Sequence, residues 1–203
     1  WGVDPDSPIM HWNGSAWTPT AHTGDDELYA VSMASAVDGW AVGGFLNPWG
    51  NYDNPVAWHW DGQTWTSVVL PLTSSYMEYL SAVDVISSND VWAVGGGYAS
   101  PSGYFGTILH WDGQSWTRMP SPTYAHLTVV AMSSPVDGWA SGRGYNYATG
   151  ENGTVVLHWD GVAWTVVPAP PNAYLYSIAA VSATRAWAAS GNSILQWDGA
   201  TWT

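Results

Sequence analysis

The chain has no cysteine and no lysine, and three arginines (Arg118, Arg143 and Arg185) are its only strongly basic residues. Without cysteine there is no disulfide framework, no thiolate nucleophile and no cysteine-ligated zinc. Sixteen carboxylates bring the net charge to −13. Such a surface repels phosphate backbones, so nucleic acid is not expected as a partner, and a basic membrane-docking patch is excluded for the same reason. No apolar run approaches the ~18 residues of a membrane span, so the chain is not expected to be membrane-embedded. Helix-period patterns with caps are missing as well. Charged residues make up only 9% of the chain, whereas 46% is hydrophobic, enough for a sizeable core. A start at Trp1, without an initiator methionine or leader, reads as a processed piece of a longer protein of secreted origin.

Tryptophan is abundant: seventeen residues, beside eleven tyrosines and two phenylalanines. Ten of the tryptophans lie in one repeated string: HWNGSAWT (11–18), HWDGQTWT (59–66), HWDGQSWT (110–117), HWDGVAWT (158–165) and QWDGATWT (196–203). Between these strings runs a second motif, anchored on Trp40, Trp92, Trp139 and Trp187, and Trp1 fits the same slot. Leucine stands twelve residues before that tryptophan (Leu28, Leu80, Leu127, Leu175) and serine five before (Ser35, Ser87, Ser134, Ser182). Aspartate stands two before in three copies (Asp38, Asp90, Asp137), and Arg185 takes its place in the fourth. A period of roughly 40–50 residues is that of propeller blades.

Each repeat reads as four short strands, a to d, with turn signals between them. In the third, a is expected at 80–87, b at 91–95, c at 107–111 and d at 114–118. Asp-Gly between c and d favours a two-residue type I′ hairpin. With Asp112-Gly113 as that loop, Trp111 pairs with Gln114, His110 with Ser115 and Leu109 with Trp116. Alternation then puts Leu109, Trp111, Gln114 and Trp116 on one face, a bulky surface for packing blade on blade. His110, Ser115 and Thr117 take the other face.

A leucine-rich strand, then WAVGG, then an aromatic-Asp-Gly turn, then Trp resembles the kelch repeat, of the galactose-oxidase type found in bacterial extracellular propellers. Its di-glycines are Gly43-Gly44 and Gly95-Gly96; the later copies depart, with Gly142-Arg143 and Ser190-Gly191. The resemblance spans the chain and implies an all-β propeller of four-stranded antiparallel blades. Five are expected in one domain: 1–18 (partial), 19–66, 67–117, 118–165 and 166–203. The first blade lacks its innermost strand. Three explanations fit: the natural protein continues past Thr203, another subunit donates the strand, or the ring closes without it. An open edge invites association, so a homo-oligomer or filament neighbour is one expected partner.

The a–b and c–d turns share one end of an antiparallel blade, and the b–c and d–a loops share the other. The first set is short and repetitive; the second is long and different in every copy. Binding usually lives in such loops. The tyrosines lie in or beside them, and Trp49 is the one tryptophan there outside a repeat slot. Two readings stay open: aromatics that pack the loops, and a recognition face for protein or glycan comprising Trp49, Tyr52, Tyr98, Tyr104, Tyr145 and Tyr147.

Enzyme chemistry finds less support. Galactose oxidase needs a Cys–Tyr cross-link, which this chain cannot make. A sialidase needs three converging arginines, and the three here occupy different topological slots. His11, His59, His110 and His158 recur in one slot and point apart, which suits a bond to a neighbouring strand better than a shared metal. His22 and His126 are weak loop candidates. The non-repeat acids Asp4, Asp6, Asp25, Asp26, Glu27, Asp53, Glu78 and Glu151 read as exposed loop charge, with a glycosidase pair or calcium site as the alternative. Asn13, within a glycosylation sequon, reads first as a turn residue. No catalytic residue, metal or cofactor is expected. The expectation is a non-catalytic extracellular module for binding, adhesion or self-assembly, with a lectin and then a glycoside hydrolase as alternatives.

Overall fold

A computed structural model of the chain describes residues 1–4, 7–20, 26–46, 52–71, 77–99, 103–146, 151–170 and 173–203. Its strands form five antiparallel sheets in sequence order. The first sheet is β1 (Gly2–Asp4), β2 (Ser7–Trp12) and β3 (Trp17–Thr20). The second is β4 (Asp26–Ser35), β5 (Asp38–Leu46), β6 (Tyr52–Trp60) and β7 (Trp65–Val68). The third is β8 (Met77–Ser87), β9 (Asp90–Ala99), β10 (Gly103–Trp111) and β11 (Trp116–Met119). The fourth is β12 (Ala125–Ser134), β13 (Asp137–Asn146), β14 (Glu151–Trp159) and β15 (Trp164–Val167). The fifth is β16 (Ser177–Ser182), β17 (Arg185–Ser190) and β18 (Ser193–Trp197), with a fourth strand reduced to the bridge Trp197–Trp202. Among the described residues, the first sheet has strands in the b, c and d positions only, as the strand count from the sequence implied.

The chain divides into two compact units, Trp1–Ala93 with Leu109–Arg118, and Val94–Ile108 with Met119–Thr203. In the first, Trp40, Leu80, Val91, Leu109 and Trp116 form one buried cluster, and Ile9, Leu28, Trp58, Trp60 and Trp65 another. In the second, Val129, Trp139, Leu175, Trp197 and Trp202 form the equivalent core. Within each unit, the tryptophan in the b-strand slot of one sheet packs on the c–d tryptophan pair of the next. Trp1 lies 4.7 Å from Trp60 and 5.4 Å from Trp65 between ring centroids. Trp40 lies 4.9 Å from Trp111 and 5.0 Å from Trp116, and Trp139 5.2 Å from Trp197 and 5.7 Å from Trp202. Several of these contacts are edge to face, the arrangement the ring quadrupole favours.

The c–d turn differs from the expected two-residue hairpin. Trp12 pairs with Trp17, Trp60 with Trp65 and Trp159 with Trp164, so the loop between them holds four residues. In the third sheet the Asp112 N–H reaches the Ser115 carbonyl, closing the same loop, and Gln114 and Ser115 lie in it rather than in strand d. The aspartate explains the difference. Asp61 Oδ1 accepts the N–H groups of Gln63 (2.8 Å) and Thr64 (2.7 Å), and Asp112, Asp160 and Asp198 repeat the pattern. An aspartate that caps two amides this way holds a wider turn than a type I′ corner. Asn13 does the same for Ser15 and Ala16, as its turn reading implied.

The a–b turns interlock with these corners. Ser35, Ser87 and Ser134 each accept the N–H two residues on, which gives the repeated serine its role. Trp60, Trp111, Trp159 and Trp197 donate their indole N–H to a carbonyl of the a–b turn (Ala36, Ser88, Pro135 and Ala183, at 3.1–3.2 Å). Gly62, at φ 92°, lies so close beneath the a–b turn that a Cβ there would stand 2.8 Å from Val37. The di-glycine has a separate cause. Strand a bulges after Leu28 and Leu127, and a Cβ on Gly43 or Gly142 would collide with the Glu27 or His126 carbonyl.

Candidate binding face at the variable ends of the sheets

Opposite the interlocked turns, strands b and c run further than expected. In the third sheet strand b was expected to end at 95 and strand c to start at 107, yet β9 continues to Ala99 and β10 starts at Gly103. Tyrosine and phenylalanine favour extended backbone on a pleated surface, which carries the hairpin outward. Four of the six expected face residues are therefore strand residues rather than loop residues: Tyr52 on β6, Tyr98 on β9, Tyr104 on β10 and Tyr145 on β13. Trp49 and Tyr147 lie outside the described residues, and at Tyr52 and Tyr145 the description covers the backbone. Tyr98 and Tyr104 come together in the second unit, 42% and 50% exposed, their rings 5.4 Å apart and near-perpendicular at 75°.

The same end of the second unit carries residues that the expected face omitted. Tyr124 and Tyr176 are each 64% exposed. Tyr174 meets Tyr176 at 4.8 Å, edge to face, and its hydroxyl lies 3.4 Å from Thr128 Oγ1. The Arg143 guanidinium stands 5.8 Å over the Tyr174 ring, a cation–π distance. Arg143 is exposed and, among the described residues, makes no ion pair. The sequence carried a signal for it: Arg143 stands where the earlier copies have the second glycine of the di-glycine.

His126, expected in a loop, is a residue of β12 paired with Arg143 on β13. Burial pushes its imidazole down to about 4, against a smaller opposing effect from its hydrogen bond to the Gly96 backbone. It is neutral at pH 7 and acts as a wedge between β9 and β12.

The carboxylates differ from the loop-charge expectation. Glu78 is a strand residue, 1% exposed, ion-paired with Arg118. The half-buried Arg118 beside it, one of the chain's scarce cations, provides the pairing that a desolvated carboxylate requires. Asp26 accepts the Trp58 indole N–H at 2.9 Å and Glu27 the Tyr29 hydroxyl at 2.6 Å, so these acids brace β4. Asp4 is exposed, Asp53 and Glu151 are described by backbone, and Asp6 and Asp25 lie outside the described residues, as does His22. Arg143 sits toward the variable end of β13 and Arg185 at the turn end of β17, as their slots implied.

Three of the four repeated histidines take the expected structural role, whereas His11, in the first sheet, lies 4.4 Å from the Trp1 ring. His59, His110 and His158 contact Asp38, Asp90 and Asp137 at 2.8, 2.9 and 2.7 Å, joining strand c to strand b. Each also lies against the b-strand tryptophan, at 4.7, 4.3 and 4.6 Å. The fifth sheet, with Arg185 and Gln196, lacks both partners of the pair. In the fourth sheet Ser133 also bonds Asp137, beside an open hollow of ≈490 Å³ lined by Ser134, Asp160 and Ser182. Asp137 lies between serine and histidine there, so the imidazole is not placed to take the serine proton.

No family model matches the chain, and no curated protein matches it. Solved structures do. That of YCF48 bound to D1 peptide is 16% identical over 99% of this chain and 61% of that one, with a TM-score of 0.61. A Trypanosoma rangeli sialidase in complex with a difluoro-KDN is 12% identical over 98% of this chain and 40% of that one, at 0.56. The GH74 enzyme of Niastella koreensis is 16% identical over 91% and 30%, at 0.54. The chain thus spans about three fifths of the YCF48 chain and less of the two enzymes. At these identities the likeness is one of fold, and with the five antiparallel sheets it makes this an all-β chain of β-propeller fold.

Proposed function

We propose that the chain is a non-catalytic extracellular binding and adhesion module that holds protein segments at the variable ends of its sheets. One observation carries the reading: exposed tyrosines and the exposed Arg143 gather at that end of the second unit, while the turn end spends its polar groups on itself. Tyrosine offers a flat ring with a polar tip, suited to a wet contact of low entropic cost. Arg143 adds a cation for a peptide carboxylate. YCF48, similar in fold, was solved with a peptide bound, which supports a peptide as the ligand class. The resemblance of the repeats to kelch repeats and the lysine-free acidic composition support the extracellular setting.

A glycan is the second reading, because the Tyr98–Tyr104 pair also suits a sugar face. The glycoside hydrolase reading loses Glu78, whose carboxylate is buried against Arg118.

Panning a random phage-displayed peptide library on the protein, with a glycan array probed in parallel, tests the proposal. Peptide ligands are expected to weaken about tenfold or more in Tyr98→Ala/Tyr104→Ala and in Arg143→Ala, and to be unaffected by Gln63→Ala/Gln114→Ala. Ligands indifferent to the first two variants overturn it. Glycan binding without peptide binding replaces it with the lectin.

A further inference from the structure

The c–d corners share one cap, and the first corner departs from the rest at two positions at once. Where the others have Asp61, Asp112, Asp160 and Asp198, it has Asn13. Where the others have Gln63, Gln114, Val162 and Ala200, it has Ser15. The first change leaves the turn intact. Asn13 Oδ1 accepts the Ser15 and Ala16 N–H groups at 3.0 and 2.9 Å, as Asp61 Oδ1 accepts those of Gln63 and Thr64. What asparagine adds is an amino group, Nδ2, that the cap does not use. Among the described residues Nδ2 makes no hydrogen bond. The second change adds a hydroxyl beside it: Ser15 Oγ donates to Asn13 Oδ1 at 2.9 Å.

Together the two changes write Asn-Gly-Ser, the acceptor pattern for N-linked sugar. Asn13 is exposed, and so are the aspartates at the other four corners, so its access to solvent comes from the turn itself. The chain holds a second such pattern, Asn152-Gly153-Thr154, and the structure places it differently. Asn152 lies in β14, paired in register with Tyr145. In extended backbone, positions two residues apart stand roughly 6.5 Å from each other. The Thr154 hydroxyl is part-buried and donates to the Ala173 carbonyl. The turn therefore presents amide and hydroxyl together at Asn13, whereas the strand commits the hydroxyl of the second pattern elsewhere.

We propose that Asn13, rather than Asn152, is the chain's acceptor for N-linked glycosylation. The co-substrate is a sugar carried on a lipid diphosphate. Nδ2 bonds to the anomeric carbon, and the bond from that carbon to the diphosphate oxygen breaks. The lipid diphosphate leaves with the electron pair, and one Nδ2 proton passes to a base of the transferase. The product is still an amide, so Oδ1 keeps its lone pairs and goes on capping the turn. Aspartate caps equally well but offers no nitrogen, which gives the exchange at this one corner a chemical purpose. The inference rests on the extracellular setting proposed above and not on the ligand of the tyrosine-rich end.

Incubating the folded 203-residue protein with a purified single-subunit oligosaccharyltransferase and a lipid-linked oligosaccharide tests this, with sites read by mass-spectrometric peptide mapping. A short peptide containing Asn-Gly-Ser serves as the control for enzyme activity. Because the enzyme and donor are supplied, the outcome is separate from where the native protein resides and from whether it binds peptide. Sugar on Asn13 and none on Asn152 is expected. Asn13→Asp restores the repeat's own capping residue and should abolish the modification with Tm unchanged. Ser15→Ala keeps both capped N–H groups and should also abolish it. An unmodified Asn13 beside a glycosylated control peptide overturns the proposal. So does sugar on Asn152, or sugar that persists on Asn13 in Ser15→Ala.

Discussion

At the turn end of the second sheet, Asp61 caps two amides, Trp60 donates to Ala36, and Gly62 lies under Val37 with no room for a side chain. At the variable end of the second unit, Tyr98 and Tyr104 touch only edge to face and keep about half their surface in water. The contrast shows where each kind of residue is spent. Turn-end residues recur because every sheet must make the same bonds to close its corners. Variable-end residues differ from copy to copy because no such bond constrains them.

The comparison predicts unequal costs. Trp139→Ala, at a fully buried joint, is expected to cost about 3–5 kcal/mol, read as a large fall in Tm. A cost near 1 kcal/mol would mean that the joint is not what holds the fourth and fifth sheets.

Acid should reach the two ends in different windows. Unfolded His126 takes a proton near its ordinary 6.5, whereas the folded protein resists until about 4. The unfolded state binds more protons across that interval, so stability falls as pH falls from 6.5 to 4, by on the order of 3 kcal/mol. His126→Gln should remove that component when its Tm–pH curve is subtracted from the wild-type curve. The turn aspartates lose their contribution lower. The amides at the ends of the turn hold Asp61, Asp112, Asp160 and Asp198 below the ordinary carboxylate value. Their stabilisation is complete above about pH 4 and is lost as pH drops through those depressed values.

Glycine substitutions sharpen the contrast on a smaller scale. Gly14 and Gly62 share a positive φ (97° and 92°), but only Gly62 has an a–b turn above it, and a Cβ at Gly14 meets nothing within 4 Å. Gly14→Ala is expected to cost about 1 kcal/mol from backbone strain alone, and Gly62→Ala roughly twice that. Equal losses in urea titrations would mean that the corners do not interlock. Tyr98→Ala/Tyr104→Ala should come last, with stability changing by about 0.5 kcal/mol or less.

The repeat made most of the architecture legible. Tryptophan spacing placed the five sheets, and the Asp-Gly strings marked the c–d corners. The hairpin register was misread because Asp-Gly serves both a two-residue corner and a four-residue loop capped by the aspartate. The two alternatives differ by an even number of residues, so Leu109, Trp111 and Trp116 kept their shared face, and His110 kept the other. The variable end was less legible because it has no second copy to align with. Tyrosine there was taken as a loop marker, although it also extends strands. Glu78 read as solvated because its partner, Arg118, is forty residues away. His126 read as a loop residue although β12 begins at Ala125.

The central claim, that ligands bind the variable end while the turn end serves structure, is tested most directly by hydrogen exchange of the protein with and without a peptide selected from the phage library. Slowed exchange is expected in the segments around Tyr98, Tyr104, Tyr124, Arg143 and Tyr176, with 61–64 and 112–115 unchanged. Protection confined to those turn segments would contradict the account.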